Sequence, residues 1–277
     1  MEKMTLREIQ LVGLDILKDI HGFCMSRGIR YTLFGGTMLG AIRHKGFIPW
    51  DDDVDIAMPR EDYDRFVNEY SSIHGYSLFC PEKGTSWLAY ARVCDMEKTL
   101  VINDWLSWCP FKTGVWVDIF PMDGAPDDIT EAEDQISRLK PLWKKIMRYR
   151  LLHGSPWYKK KSLSQILRLS RNMFLNLFDR RGFEEIRSEY IHICKEVPFG
   201  STGHYSNYSF LGYGIKEYQS ISDFDTMINV PFEDTSFQCI GGYHSHMTNK
   251  YGDYMVPPKN KDQSGHGNYG FYWIKKG

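Results

Sequence analysis

The chain has 277 residues, 42% hydrophobic and 25% charged, enough for a sizeable core with the charge share of an ordinary globular domain. Its 34 basic and 35 acidic side chains give a formal net charge of −1, which argues against a surface built to grip nucleic acid. No run approaches the roughly 18 apolar residues of a membrane span, and Met1–Thr5 leads into an amphipathic pattern without an apolar signal core. Six cysteines (24, 80, 94, 109, 194 and 239) form no CxxC pair, so buried thiols in a reducing compartment are expected, and with them a cytoplasmic protein.

Leu6, Ile9, Val12, Ile16, Leu17, Ile20 and Phe23 make a helical stripe over 6–27, with Gly28 placed to stop it. Ile29–Phe34 reads as a strand, broken by Gly35-Gly36-Thr37, which starts a short helix from Met38 to His44. A loop around Pro49 follows, and Asp53–Met58 alternates polar and apolar residues as a strand does. Pro59 opens a helix through Ile73 with Tyr63, Phe66, Val67 and Tyr70 inward. Trp87–Cys94 and Val115–Phe120 are further strand candidates. Ile129–Glu196 turns helical, and between Lys140 and Arg181 it holds twelve Lys or Arg against one acid, Asp179. The tail is rich in Gly, Tyr and Ser, with short strands expected near Phe224–Val230 and Phe237–Ile240 and a short helix over Tyr243–Lys250. The pattern predicts an α/β (α+β) fold. Its expected parts are a core at 1–124, a basic helical insertion at 125–205, and a segment at 206–277 folded back onto the core.

The most informative stretch is Pro49-Trp50-Asp51-Asp52-Asp53-Val54-Asp55-Ile56. If strand pairing starts at Asp53, then Asp53 and Asp55 project from one face, and two adjacent carboxylates need a positive partner. Hard oxygen ligands suit Mg²⁺ or Mn²⁺, although a solvated acidic turn has the same composition. Upstream, Gly35-Gly36-Thr37 lies in a strand–turn–helix setting. The glycines there let backbone N–H groups approach a phosphate, and Thr37 can cap the helix or bond an oxygen. Asp118 sits between Val117 and Ile119 on a predicted strand, where a lone charge is costly. It is either a third metal ligand or the partner of an arginine.

The unbroken run from Tyr31 to Ile56, with Phe34-Gly35-Gly36-Thr37-Met38-Leu39-Gly40-Ala41-Ile42-Arg43-His44-Lys45-Gly46 at its heart, closely resembles the signature of the LicD family. So do Ala91-Arg92-Val93 with Thr99, Val117-Asp118-Ile119-Phe120-Pro121-Met122-Asp123-Gly124, and Tyr251-Gly252-Asp253-Tyr254 through Pro258 with His266. Residues 1–124 and 224–266 carry the resemblance; 125–205 carry almost none. It implies a nucleotidyltransferase-type mixed sheet flanked by helices. It further implies metal-dependent transfer of phosphocholine from CDP-choline to a hydroxyl of a cell-surface glycan, of teichoic acid or lipopolysaccharide type, or of its lipid-linked precursor, with release of CMP. Under that resemblance Asp53, Asp55 and Asp118 hold Mg²⁺ or Mn²⁺, Asp118 takes the hydroxyl proton, and Gly35, Gly36 and Thr37 form the donor-phosphate loop. Ribitol- or glycerol-phosphate transfer from a CDP-polyol and nucleotidyl transfer to a small acceptor are the enzymatic alternatives. A degenerate scaffold in glycan assembly is the non-enzymatic one.

Arg92 is expected to grip phosphate oxygens in pairs. Arg43, His44 and Lys45 are candidate substrate contacts, though cations also stabilise a helix C-terminus unaided. His266 matches a family position without an assigned role. His244 and His246 lack the further ligands that zinc needs. Choline suits an aromatic cage, and of the 41 aromatic residues Trp50, Trp105 and Trp108 lie nearest the motifs. The basic stretch 140–181, with the helical pattern at Ser162–Phe178 and Lys159-Lys160-Lys161 before it, reads either as a helical subdomain packed on the core with its bases solvated, or as a face that meets an anionic surface. That surface would be the inner face of the membrane or a phosphate-bearing precursor.

Overall fold

The computed structural model describes residues 1–103, 113–154, 181–259 and 269–274, with isolated helical positions between 167 and 175. Strand β1 (Glu2–Lys3) leads into α1 (Leu6–Arg27), which starts and stops where its sequence says. Thr5 and Glu8 form a reciprocal capping box, and Gly28 closes the helix at φ 61°. Then come β2 (Thr32–Leu33), α2 (Gly35–His44), β3 (Asp55–Pro59) and α3 (Arg60–Glu69). Strands β4 (Ser77–Phe79), β5 (Ala91–Asp95), β6 (Thr99–Asn103) and β7 (Val115–Ala125) follow. Helices α4 (Ile129–Gly154) and α5 (Phe183–Cys194) precede β8 (His204–Ser206) and β9 (Gln219–Ser220). The chain continues with β10 (Met227–Phe232), β11 (Thr235–Ile240), α6 (Tyr243–Tyr251) and β12 (Tyr269–Trp273).

The main sheet runs β2-β3-β7-β5-β4, with β8 alongside the far half of β7 and β9 beyond it. It is mixed: β3 and β7 are parallel, and the other pairings are antiparallel. All eleven residues of β7 are buried, because α1 and α3 pack against this strand. Ile16, Leu17 and Ile20 of α1 meet Ile56, Val117 and Ile119 in the core, each with no exposed surface. A second cluster forms where Ile136, Leu139 and Ile146 of α4 pack against Ile186 and Tyr190 of α5. The chain ends meet in a small antiparallel sheet, β1-β12-β6. This is the α/β architecture the sequence predicts.

Local differences have local causes. The strand expected over Ile29–Phe34 shrinks to Thr32–Leu33, because the Arg30 N–H turns to the Asp62 carboxylate instead of a neighbouring strand. Regular pairing of β3 begins at Asp55, so Asp53 belongs to the preceding loop and not to the strand face it was expected to share. The helix expected through Ile73 ends at Glu69. Strand β7 runs through Pro121 to Ala125, because Asp123–Ala125 gain a new partner in β8. The five described cysteines are free and buried. Among the described residues no helix is long and apolar enough to cross a membrane. His266, Cys109, Trp105, Trp108, Lys159-Lys160-Lys161 and most of 162–178 lie outside the described residues.

Candidate active site

Sheet register builds the centre of the site. The parallel ladder sets Asp55 of β3 opposite Asp118 of β7, and the antiparallel ladder sets Arg92 of β5 opposite the same Asp118. Directly opposed side chains share a face, so Asp55, Asp118 and Arg92 form one row across three strands. Arg92 donates through Nε and Nη2 to the two oxygens of Asp118, at 2.7 and 3.0 Å. Trp116, two residues earlier on the same face, adds Nε1–H to Asp118 Oδ2 at 3.0 Å, and its ring lies 4.2 Å from the guanidinium carbon. Burial works against the Arg92 cation, but the Asp118 carboxylate outweighs it and the arginine is held protonated. Of the two roles the sequence left open for Asp118, the arginine partnership is present; Arg92 is correspondingly engaged by protein.

The turn after β2 brings α2 against this row. Gly35 takes φ +53°, and a Cβ there would stand 2.7 Å from Asp55 Oδ2; one on Gly36 would stand 2.4 Å from Asp51 Oδ2. Glycine is therefore required so that two carboxylates can approach the start of a helix. Thr37 does not cap that helix. Its hydroxyl accepts the Asp55 N–H at 2.8 Å, pinning helix to strand. Burial, followed by the negative charges of Asp53, Asp118 and Asp51, pushes the Asp55 carboxyl well above the usual carboxylate range, with Lys250 partly offsetting them. Oxygens of Asp51, Asp52 and Asp53 converge to within 4.8 Å of one another.

Asp51, Asp53, Asp55, Arg92, Trp116 and Asp118 line a cleft of ≈ 510 Å³ with Gly35, Gly36, Trp50, Tyr90 and Phe120. Another part of its lining comes from the segment after β8 and from α6: Asn207, Phe210, Tyr213, Glu217, Lys250 and Tyr251. The lining carries the carboxylates of Asp51, Asp53, Asp55, Asp118 and Glu217 against the cations of Arg92 and Lys250. Such an excess of hard oxygen donors fits Mg²⁺ or Mn²⁺ and repels an anionic ligand that arrives alone.

Arg43, His44 and Lys45 end α2 and do not line the cleft. Arg43 donates to the Tyr254 carbonyl at 2.8 Å, and Lys45 caps the helix at φ 61°. His244 pairs with the Tyr254 hydroxyl, and His246 with that of Tyr205, so the two do not form a metal pair. Burial, and secondarily Lys250, push the His246 imidazole down to about 3. Lys250, Glu217, Asn207 and Tyr213 were not singled out from the sequence. Lys250 adjoins the family-like Tyr251-Gly252-Asp253 run, whereas the others sit in a segment without a motif.

Residues 28–144 match the LicD/FKTN/FKRP nucleotidyltransferase domain family. Over 274 residues the chain is 35% identical to the lipopolysaccharide cholinephosphotransferase LicD of Haemophilus influenzae, covering 96% of this chain and 97% of that protein. A 48-residue stretch, 17% of this chain and 10% of the relative, is 51% identical to the human ribitol 5-phosphate transferase FKRP. A 48-residue stretch is likewise 47% identical to an uncharacterized protein of Rickettsia prowazekii, 17% of this chain and 18% of that protein.

Proposed function

The chain belongs to the LicD family, and on that premise we propose that its cleft transfers a phosphorylated alcohol from a CDP-linked donor to a hydroxyl of a glycan. Phosphocholine from CDP-choline is the first donor to expect, with CMP as the nucleotide product. The acceptor is a cell-surface glycan of lipopolysaccharide or teichoic acid type, or its lipid-linked precursor. The observation that carries the reading is the row of Asp55, Asp118 and Arg92 with the Gly35-Gly36 turn packed against it, all lining one cleft.

Asp53 and Asp55 are the proposed holders of Mg²⁺ or Mn²⁺, with Asp118 beside Asp55. When bound, the ion supplies Lewis-acid neutralisation of the charge that develops on the departing CMP. Asp118 accepts three N–H bonds already, which leaves about one lone-pair position of the roughly four a carboxylate offers. Ligand and base compete for that position. The ligand role suits it better, because phosphoryl transfer through a loose transition state needs little help from a base. Arg92 then serves by orienting Asp118, and the α2 N-terminus by facing the donor phosphates.

The test is CMP release from CDP-choline, CDP-ribitol and CDP-glycerol, with Mg²⁺ and with EDTA, using a glycan acceptor preparation. CMP from CDP-choline, abolished by EDTA, is the expected result. Consumption of CDP-ribitol with CDP-choline untouched moves the function to polyol phosphate, the reading favoured by the short FKRP match. Turnover undiminished by EDTA overturns the metal assignment.

A further inference from the structure

Lys250 is only 4% exposed, and Glu217, its counter-charge, only 2%. The ammonium stands 2.6 Å from Glu217 Oε1 and is enclosed by aromatic faces, 4.1 Å from the Phe34 ring centroid, 4.4 Å from Tyr213 and 5.6 Å from Tyr251. At 2.6 Å the ammonium donates one charge-assisted hydrogen bond to Glu217, which leaves two of its three N–H donors for other acceptors. Rings attract the cation without offering lone pairs. Phe34 immediately precedes Gly35-Gly36, so this cation flanks the start of α2 on the cleft floor. On the same wall, Asn207 turns its carbonyl to the Ser209 N–H and hydroxyl, leaving its buried Nδ2 a donor without a partner among the described residues.

A buried cation is costly unless it is paired and its donors are satisfied; Glu217 supplies the counter-charge, and the remaining N–H donors call for another acceptor. The acidic row on the facing strands tells what that is: a ligand that brings both divalent metal and anionic oxygens into the cleft. We propose that Lys250 is a substrate contact whose ammonium donates to an oxygen of the bound diphosphate, beside the carboxylates proposed to hold the metal. The inference rests on the phosphoryl-transfer reading for its biological ligand, and a diphosphate probe tests it separately. Glu217 and the aromatic enclosure fix where the charge sits.

Lys250→Met alone strands a buried carboxylate and is expected to destabilise the fold. The decisive variant is therefore Lys250→Met with Glu217→Gln, which removes both charges together. Calorimetric titration with magnesium pyrophosphate compares it with wild type and with Glu217→Gln alone; unfolding temperature and affinity for Mg²⁺ alone serve as controls. The expected result is tight binding by wild type and Glu217→Gln, and a loss of at least about tenfold in the folded double variant. KM for the donor should rise by a similar factor while Mg²⁺ affinity holds. Equal pyrophosphate affinity in wild type and double variant, or no binding by wild type, overturns the contact. Lys250-dependent pyrophosphate binding by a wild type that consumes no CDP-alcohol would sink the donor reading and uphold this one.

Discussion

At the scale of single residues, Asp55 shows how a site stores unfavourable electrostatics for later use. Its carboxyl is pushed up by burial and by Asp53, Asp118 and Asp51, so the folded metal-free protein holds a proton there more tightly than the unfolded chain does. Such a group contributes stability below the unfolded carboxylate range and loses it as pH rises towards the folded value. Asp55→Asn should behave like wild type in mild acid and grow more stable than wild type as pH rises. The difference should be at most about 1.4 kcal/mol per pH unit over that window. Urea unfolding at several pH values in EDTA checks this, and a variant less stable than wild type at neutral pH would contradict it. The same substitution should lower turnover at least about a hundredfold, since the carboxylate is a proposed metal ligand. On the same row, the Asp118 oxygens accept hydrogen bonds from Arg92 and Trp116.

At the scale of elements, the β2–α2–β3 unit is assembled around carboxylates instead of around a cap. Phe34 at the N-cap offers no side-chain cap, and the first residues of α2 lie beside the oxygens of Asp55 and Asp51. Gly36→Ala would place a methyl group 2.4 Å from Asp51 Oδ2, on the far end of a side chain that is able to swing. The expected outcome is a stability within about 1 kcal/mol of wild type, as the smaller unfolded-state entropy offsets the displacement of Asp51, with a marked loss of metal-dependent turnover. Gly35→Ala adds a strained φ of +53° and should destabilise more. Paired measurements of unfolding temperature and CMP release decide it. Full activity in Gly36→Ala would show that the close approach of Asp51 is dispensable. Why the fold matched its pattern in some elements and not others is also clear here. Helix α1 carries its capping box, apolar stripe and terminal glycine within its own residues, so its limits were legible. Strands β6, β8 and β12 are short and paired to distant segments, and nothing within them announces the partner.

At the scale of the whole molecule, the cleft joins two walls with opposite duties: facing strands that concentrate acid, and a later wall that brings Lys250 with its enclosing aromatics. The acid excess predicts that divalent metal stabilises the fold. Mg²⁺ or Mn²⁺ at one hundred times its dissociation constant should add about 2.7 kcal/mol. Differential scanning fluorimetry should show a rise of several degrees in wild type and a much smaller one in Asp53→Asn. The absence of a rise with either ion would remove the proposed metal from the site.

The sequence alone determined the elements whose signals are local: the limits of α1, the glycine turn, the acidic run, and the family to which those motifs point. Tertiary structure decided whatever depends on register. Only the pairing of β3, β7 and β5 sets Asp55, Asp118 and Arg92 in one row, turning an expected phosphate ligand into the partner of an aspartate. The same pairing, starting at Asp55, left Asp53 in a loop. Lys250 met Phe34 and Glu217 only when α6 and the segment after β8 closed the cleft. A charge pattern along the chain says which groups exist. Which of them neutralise one another depends on distances of a few ångströms, and those arise only when strands far apart in sequence are hydrogen-bonded into one sheet.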